Sequence, residues 1–172
     1  MKIQSIRVLC GLIGVIALTR LLPHPPNFSP VVALALFGGA AFAERRLAYL
    51  VPLAAMLLAD LFIGFHQTMM FVYVGMALVV VIGRWLGENR RLPVLALTAL
   101  AGSGVFFLLS NAGVWWLGAT YPHSLEGLLA CYVAALPFFH NTVLATVVFA
   151  ALLFGFEYCW KRFEARQALA AA

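Results

Sequence analysis

From Leu47 to Leu58, and again from Val143 to Phe154, almost every position is apolar. A barrel strand alternates apolar and polar residues, and the surface helix of a soluble domain keeps a polar stripe. Neither rhythm is present. Runs of this kind form helices with apolar surroundings on every side, which makes the chain an integral membrane protein rather than a soluble domain. The composition agrees: 65% of residues are hydrophobic and only 10% charged, against about a quarter charged in soluble domains. Six spans of about 20 residues each would consume most of the 172 residues. The expectation is one all-α transmembrane domain with short connections and no soluble domain.

The charges orient that domain. Of the eleven Lys and Arg, ten fall at one end of the implied spans: Lys2, Arg7, Arg45, Arg46, Arg84, Arg90, Arg91, Lys161, Arg162 and Arg166. His24, His66, His123 and His140 fall at the other. Cytoplasmic loops carry the excess of Lys and Arg, so the pattern predicts six spans with both termini cytoplasmic. The formal charge of +5 is spread over short segments with no basic, aromatic-interleaved domain, which argues against nucleic acid as a partner. The partner it implies is the lipid bilayer.

The expected spans are 6–22, 31–43, 47–65, 69–86, 92–110 and 138–160. An extra outer or re-entrant helix is expected over 125–136, separated from the last span by Pro137. Lys2 and Arg7 ahead of an apolar run resemble a signal peptide, but no small-residue cleavage site follows, and the segment reads as a retained helix. Four prolines between Pro23 and Pro30 forbid a continuous helix there. The second span is short, so this stretch is expected to dip into the protein, where irregular backbone at membrane depth is tolerated. Trp85, Tyr49, Tyr158 and Trp160 suit an inner aromatic belt, and Trp115, Trp116 and Tyr121 an outer one. Cys10, Cys131 and Cys159 lie far apart in apolar segments and read as buried thiols.

Two features bear on function. Ala35, Gly39 and Ala43 form a small-residue ridge, which serves either packing inside the bundle or docking onto another membrane protein. Asp60 lies inside the third span and Arg20, the one basic residue at the histidine end, at similar depth. An ionisable residue at that depth marks a site or a paired structural charge. The two either form an ion pair between helices or contact a polar substrate. Asn27, His66, Gln67, Ser110, Asn111, His123, His140 and Asn141 gather at the same end, with Tyr73, Trp115, Trp116 and Tyr121 as aromatic neighbours. The inner halves hold almost no buried polar side chain. This is the profile of a pocket open to one side, with Arg20, Asn27, Asp60, His66, Asn111, Trp115, Tyr121, His123, His140 and Asn141 as candidate substrate-binding residues. No two His share a helical i, i+3 or i, i+4 spacing, and no HExxH, phosphate loop or paired-carboxylate motif occurs. Metal coordination, catalysis and a bound cofactor therefore gain little support.

The segment Leu22-Pro23-His24-Pro25-Pro26-Asn27-Phe28-Ser29-Pro30, then Phe37-Gly38-Gly39-Ala40, Asp60-Leu61-Phe62-Ile63-Gly64-Phe65-His66 and Pro137-Phe138-Phe139-His140-Asn141-Thr142 together resemble an uncharacterised bacterial family described as membrane transport proteins. In size and layout that family is similar to the substrate-binding S components of energy-coupling factor transporters. The resemblance implies a subunit of the bacterial inner membrane that captures a vitamin, a vitamin precursor or a metal ion from outside. It would dock on a transmembrane coupling protein driven by cytoplasmic ATPases. In S components a small-residue docking pattern often lies on helix 1. Here helix 1 offers only Cys10 and Gly14, and the N-terminal His expected of a metal-type S component is missing. Two other readings stand beside it: a scaffold of the cell envelope, and a small membrane metal protein or enzyme.

Overall fold

The computed structural model describes residues 3–170. Among them the regular elements are all helical: α1 Ile3–Leu18, a single 3-10 turn Thr19–Leu21, α2 Val31–Ala41, α3 Arg45–Ile63, α4 Met69–Leu86, α5 Leu92–Leu117 and α6 Leu125–Ala170. Four of these, α3 to α6, are long and apolar enough to cross a membrane. The exterior is itself apolar, with Phe62, Met70, Trp85 and Leu92 standing out of the bundle at 72% exposure or more. Such a surface is stable against lipid and not against water.

The core is α2. Helices α1, α3, α4, α5 and α6 touch one another in that cyclic order, closing back on α1, and all five touch α2. Residues Val31 to Gly39 are buried without interruption. A helix apolar on every side has no preferred outward face and takes the centre of a bundle. At 1.5 Å per residue, its eleven residues span about 16 Å, roughly half a hydrocarbon core of about 30 Å. The buried helix is thus too short to cross by itself, and the proline-rich connection leads into it.

Glycines set how closely α2 approaches α4. A Cβ on Gly39 would collide with the carbonyl oxygen of Val80, and one on Gly83 with that of Leu36. Each glycine admits the other helix's backbone, the close small-residue contact that dispersion forces favour in lipid. Gly39 and Ala35 are therefore interior residues of the bundle, while Ala43 lies exposed beyond the end of α2. The three do not present one continuous outward face.

Four boundaries differ clearly from expectation, one of them the far end of the last span, which runs to Ala170 instead of stopping at 160. The anticipated outer helix 125–136 and the last span are one helix, α6, running through Pro137. Proline removes a single amide donor, and a helix held by neighbours on both sides of it tolerates that loss. With 46 residues, α6 is about 69 Å long and outlasts any bilayer core. Likewise α5 continues past Ser110 to Leu117, because Asn111 donates its side-chain amide to the Phe107 carbonyl at 2.8 Å instead of opening a loop. The first helix stops at Leu18, and Thr19 closes it by donating to the Ile16 carbonyl at 2.6 Å. Of the cysteines, Cys131 is buried, Cys10 partly so, and Cys159 faces outward, against the expectation of three buried thiols.

Candidate ligand-binding site

The proline-rich connection is ordered by its own chemistry. Pro25 to Phe28 form a turn closed by the Phe28 amide on the Pro25 carbonyl at 3.0 Å, with Asn27 at φ 61°. Proline at the second turn position and a residue tolerant of left-handed backbone at the third are what such a turn demands. Asn141 of α6 donates to the Pro26 carbonyl at 2.9 Å, and Phe28 packs on Phe149 at 6.0 Å between ring centroids. The connection is thereby tied to α6 and held over the start of α2.

Beneath it lies a cavity of about 240 Å³. Arg20 from the 3-10 turn, Asn27 and Ser29 from the connection, and Val31 and Val32 from the first turn of α2 line one part. His66 and Thr68 from the α3–α4 loop, Val72 of α4, Phe106, Phe107, Ser110, Asn111 and Val114 of α5, and Thr142 of α6 complete it. Every element from the 3-10 turn onward contributes, apart from α3, whose share comes through its following loop.

Behind the wall stands Asp60, only 1% exposed. One of its oxygens accepts from Arg20 at 2.5 Å and the other from the Tyr73 hydroxyl at 2.7 Å. Arg20 and Asp60 thus form a buried ion pair between the 3-10 turn and α3, with Tyr73 of α4 as a third member. Both carboxylate oxygens are engaged, and it is Arg20 rather than Asp60 that faces the cavity.

Of the ten candidate residues, Arg20, Asn27, His66 and Asn111 line this cavity directly, and Asp60 lies one shell behind. Asn141 holds the connection, as described. The remaining four are elsewhere. Trp115 and His123 pack edge to face at 5.7 Å, Trp116 stacks on His123 at 6.5 Å, and the Trp115 indole donates to the Pro122 carbonyl at 2.9 Å. They build an aromatic clasp over the α5–α6 loop, outside the cavity. Tyr121 sits in that loop half-buried, and His140 is exposed on α6. The polar lining residues missed are Ser29, Thr68 and Thr142, small hydroxyls that neither charge nor spacing singles out; the apolar walls were not singled out either. The Ser29 Oγ is buried with no hydrogen-bond partner.

The basic end is less apolar inside than the sequence implied. Glu157 of α6 is 4% exposed and meets Arg90 at 3.2 Å and Lys161 at 2.9 Å. Arg90 also donates to the carbonyls of Gly87 and Ala40 and lies 4.7 Å from the centre of the Phe154 ring. A cation at the carbonyl end of α2 satisfies both the free acceptors and the helix dipole there. Glu157 falls inside the last expected span, 138–160, whose inner half was expected to bury almost no polar side chain. Only folding reveals that it turns inward.

Among the described residues, no group of three His, Cys, Asp or Glu is placed to hold a metal ion. Residues 2–168 match the family described as "Family of unknown function (DUF6580)", and the chain belongs to that family. No curated protein and no solved structure matches it.

Proposed function

We propose that this chain is the small-molecule-binding subunit of a membrane transport system, similar in role to an S component. In this reading it lies in the bacterial inner membrane with both termini cytoplasmic, and its histidine-bearing end faces outward. The observation that carries the reading is the cavity beneath the proline-rich connection. It combines polar groups with aromatic and branched walls, the usual make-up of a small-ligand site, and lies at the end opposite the basic loops. The chain itself carries no phosphate-binding motif, so transport energy would come from a coupling protein with cytoplasmic ATPases. With Ala35 and Gly39 buried against the bundle's own helices, a docking face for that protein would have to use other residues.

A scaffold role in the cell envelope is the second reading, favoured by the saturated Arg20–Asp60–Tyr73 cluster, which serves stability without any ligand. Two measurements separate the readings. In a variant lacking the three native cysteines, a cysteine at 120 should react with impermeant reagent from outside and one at 88 only from inside. Native mass spectrometry of gently purified protein should then show a bound small molecule that is lost on widening Thr142 to Trp. Reversed labelling, or a cavity that never carries a ligand while envelope proteins co-purify, refutes the transport reading.

A further inference from the structure

The facing walls of α5 and α6 change character along their length. Toward the histidine end they meet: Phe107 packs on Phe139 at 4.9 Å between ring centroids, and the buried Ser103 hydroxyl donates to Thr146 at 3.1 Å. Toward the basic end the side chains between them become small, with Ala96 and Ala99 on α5 and Ala150, Ala151 and Gly155 on α6. They leave a groove of about 570 Å³ unfilled, with Phe154 in its apolar wall. A Cβ on Gly155 would meet nothing within 4 Å. Packing inside the bundle therefore does not require this glycine, although glycine is a poor residue for a helix interior.

The groove has the depth of one leaflet. From Val147 to Lys161 it follows α6 for about 21 Å at helical rise. Half of a bilayer of about 40–45 Å, headgroups included, is about 20–22 Å. The groove stops at mid-depth, where Ser103 and Thr146 draw the two helices together. That length suits a lipid tail better than a partner helix, which crosses both leaflets.

Its rim carries both signs of charge, from Glu88, Arg90, Glu157 and Lys161. Arg90 is spent on the buried Glu157 and on the carbonyls of Gly87 and Ala40. Lys161 also bonds Glu157 but is largely exposed, with ammonium donors to spare. Tyr158, another rim residue, lies three positions earlier on the same helix face. Its hydroxyl accepts from Arg162 at 2.9 Å, which leaves its own proton free to donate. Lys161 and Tyr158 thus offer an anion two accessible donors. Two cations against Glu157 leave one positive charge there, which a phosphodiester matches. Glu88 is exposed on the α4–α5 loop and has no ion-pair partner among the described residues. A cation beside it completes the balance. Basic pockets between helices at headgroup level are a known way to hold lipid headgroups.

We infer that this groove binds phosphatidylethanolamine from the leaflet at the basic end. One acyl chain lies along the small-residue wall, the phosphate meets Lys161 and Tyr158, and the ammonium turns toward Glu88. Phosphatidylglycerol carries the same phosphate but brings no cation to Glu88. The inference concerns the chain as a membrane protein and does not depend on the transport reading.

The test is native mass spectrometry of the full chain, delipidated in mild detergent and titrated with phospholipids of identical acyl chains. Phosphatidylethanolamine should bind about fivefold more tightly than phosphatidylglycerol, the upper end for a solvent-exposed ion pair. Phosphatidylcholine, whose methylated cation has no N–H to donate, should fall between them. Glu88→Gln should bring the three level, and Lys161→Met should weaken all three. Both side chains are exposed, so these variants fold and carry the headgroup test. Gly155→Leu fills the groove and should remove binding of every phospholipid, with unfolding in detergent–SDS micelles like that of the parent. Phosphatidylglycerol binding as tightly as phosphatidylethanolamine overturns the inference, as does a preference that survives Glu88→Gln. A third refutation comes from p-benzoylphenylalanine in place of Ala151: crosslinking in native membranes to a protein, a second copy included, instead of to phospholipid makes the groove a docking face.

Discussion

The Arg20–Asp60–Tyr73 cluster gives the sharpest energetic prediction. Replacing Arg20 by Met leaves a carboxylate, 2% exposed in its side chain, with Tyr73 as its sole donor. Breaking a buried ion pair from one side costs about 3–5 kcal/mol. The Arg20→Met defect should therefore be about 3–5 kcal/mol. Replacing the whole cluster, Arg20→Met/Asp60→Leu/Tyr73→Phe, removes every stranded group and should bring stability to within about 1 kcal/mol of the parent. The assay is reversible unfolding in mixed detergent–SDS micelles, followed by fluorescence of the four tryptophans. A 3 kcal/mol loss is a change of about a hundredfold in the unfolding constant, since about 1.4 kcal/mol is tenfold. If the single and triple variants lose equally, the three residues do not act as a unit and the reasoning fails.

The same unfolding measurement tests two further points. Gly39→Ala and Gly83→Ala, which force a methyl into a facing backbone, should each lose about 1–3 kcal/mol. Gly104→Ala, whose Cβ meets nothing within 4 Å, should be neutral or gain up to about 1 kcal/mol from helix propensity; equal effects at all three positions would show that α2 and α4 do not meet as described. Around Glu157, Arg90→Met should cost about 1–3 kcal/mol, because it strips a buried carboxylate and the end of α2 of a donor. Lys161→Met should cost under about 1 kcal/mol, since that side chain is 55% exposed and water screens the pair. The reverse order would mean that Lys161 rather than Arg90 anchors Glu157.

Much of the helical pattern was legible because it rests on local chemistry. Uninterrupted apolar runs located the main helices, the four prolines located the break before α2, and the basic clusters located the turns that follow α2 and α4. Where local signals were weak, they misled. Pro137 looked like a boundary because it lacks an amide, yet α6 crosses it, since Tyr132 and Phe139 on either side of it both pack on Phe107 of α5. Asn111 looked like a loop residue because it is polar, yet it satisfies itself on the Phe107 carbonyl within α5. The candidate site was half legible for a related reason. Arg20, Asn27, His66 and Asn111 could be gathered by depth alone, but depth does not tell which side of a helix a residue takes. Trp115 and His123 share the cavity's level and face the α5–α6 loop instead.

The sequence by itself determined that this chain is helical and apolar throughout, where its charges segregate, and that Arg20 and Asp60 are the two charges at the histidine end needing explanation. Those properties follow from composition and spacing along one chain. Tertiary structure alone decided that α2 is the hub. An all-apolar helix carries no periodic mark of its neighbours, and only the glycine contacts with α4 and the ring of five helices place it. It also decided that Asp60 is hidden while Arg20 faces the cavity. That asymmetry arises because Tyr73, 13 residues away in sequence, takes the second carboxylate oxygen. Charge sign can be read from a sequence; which member of a pair is presented to a ligand depends on what packs behind it.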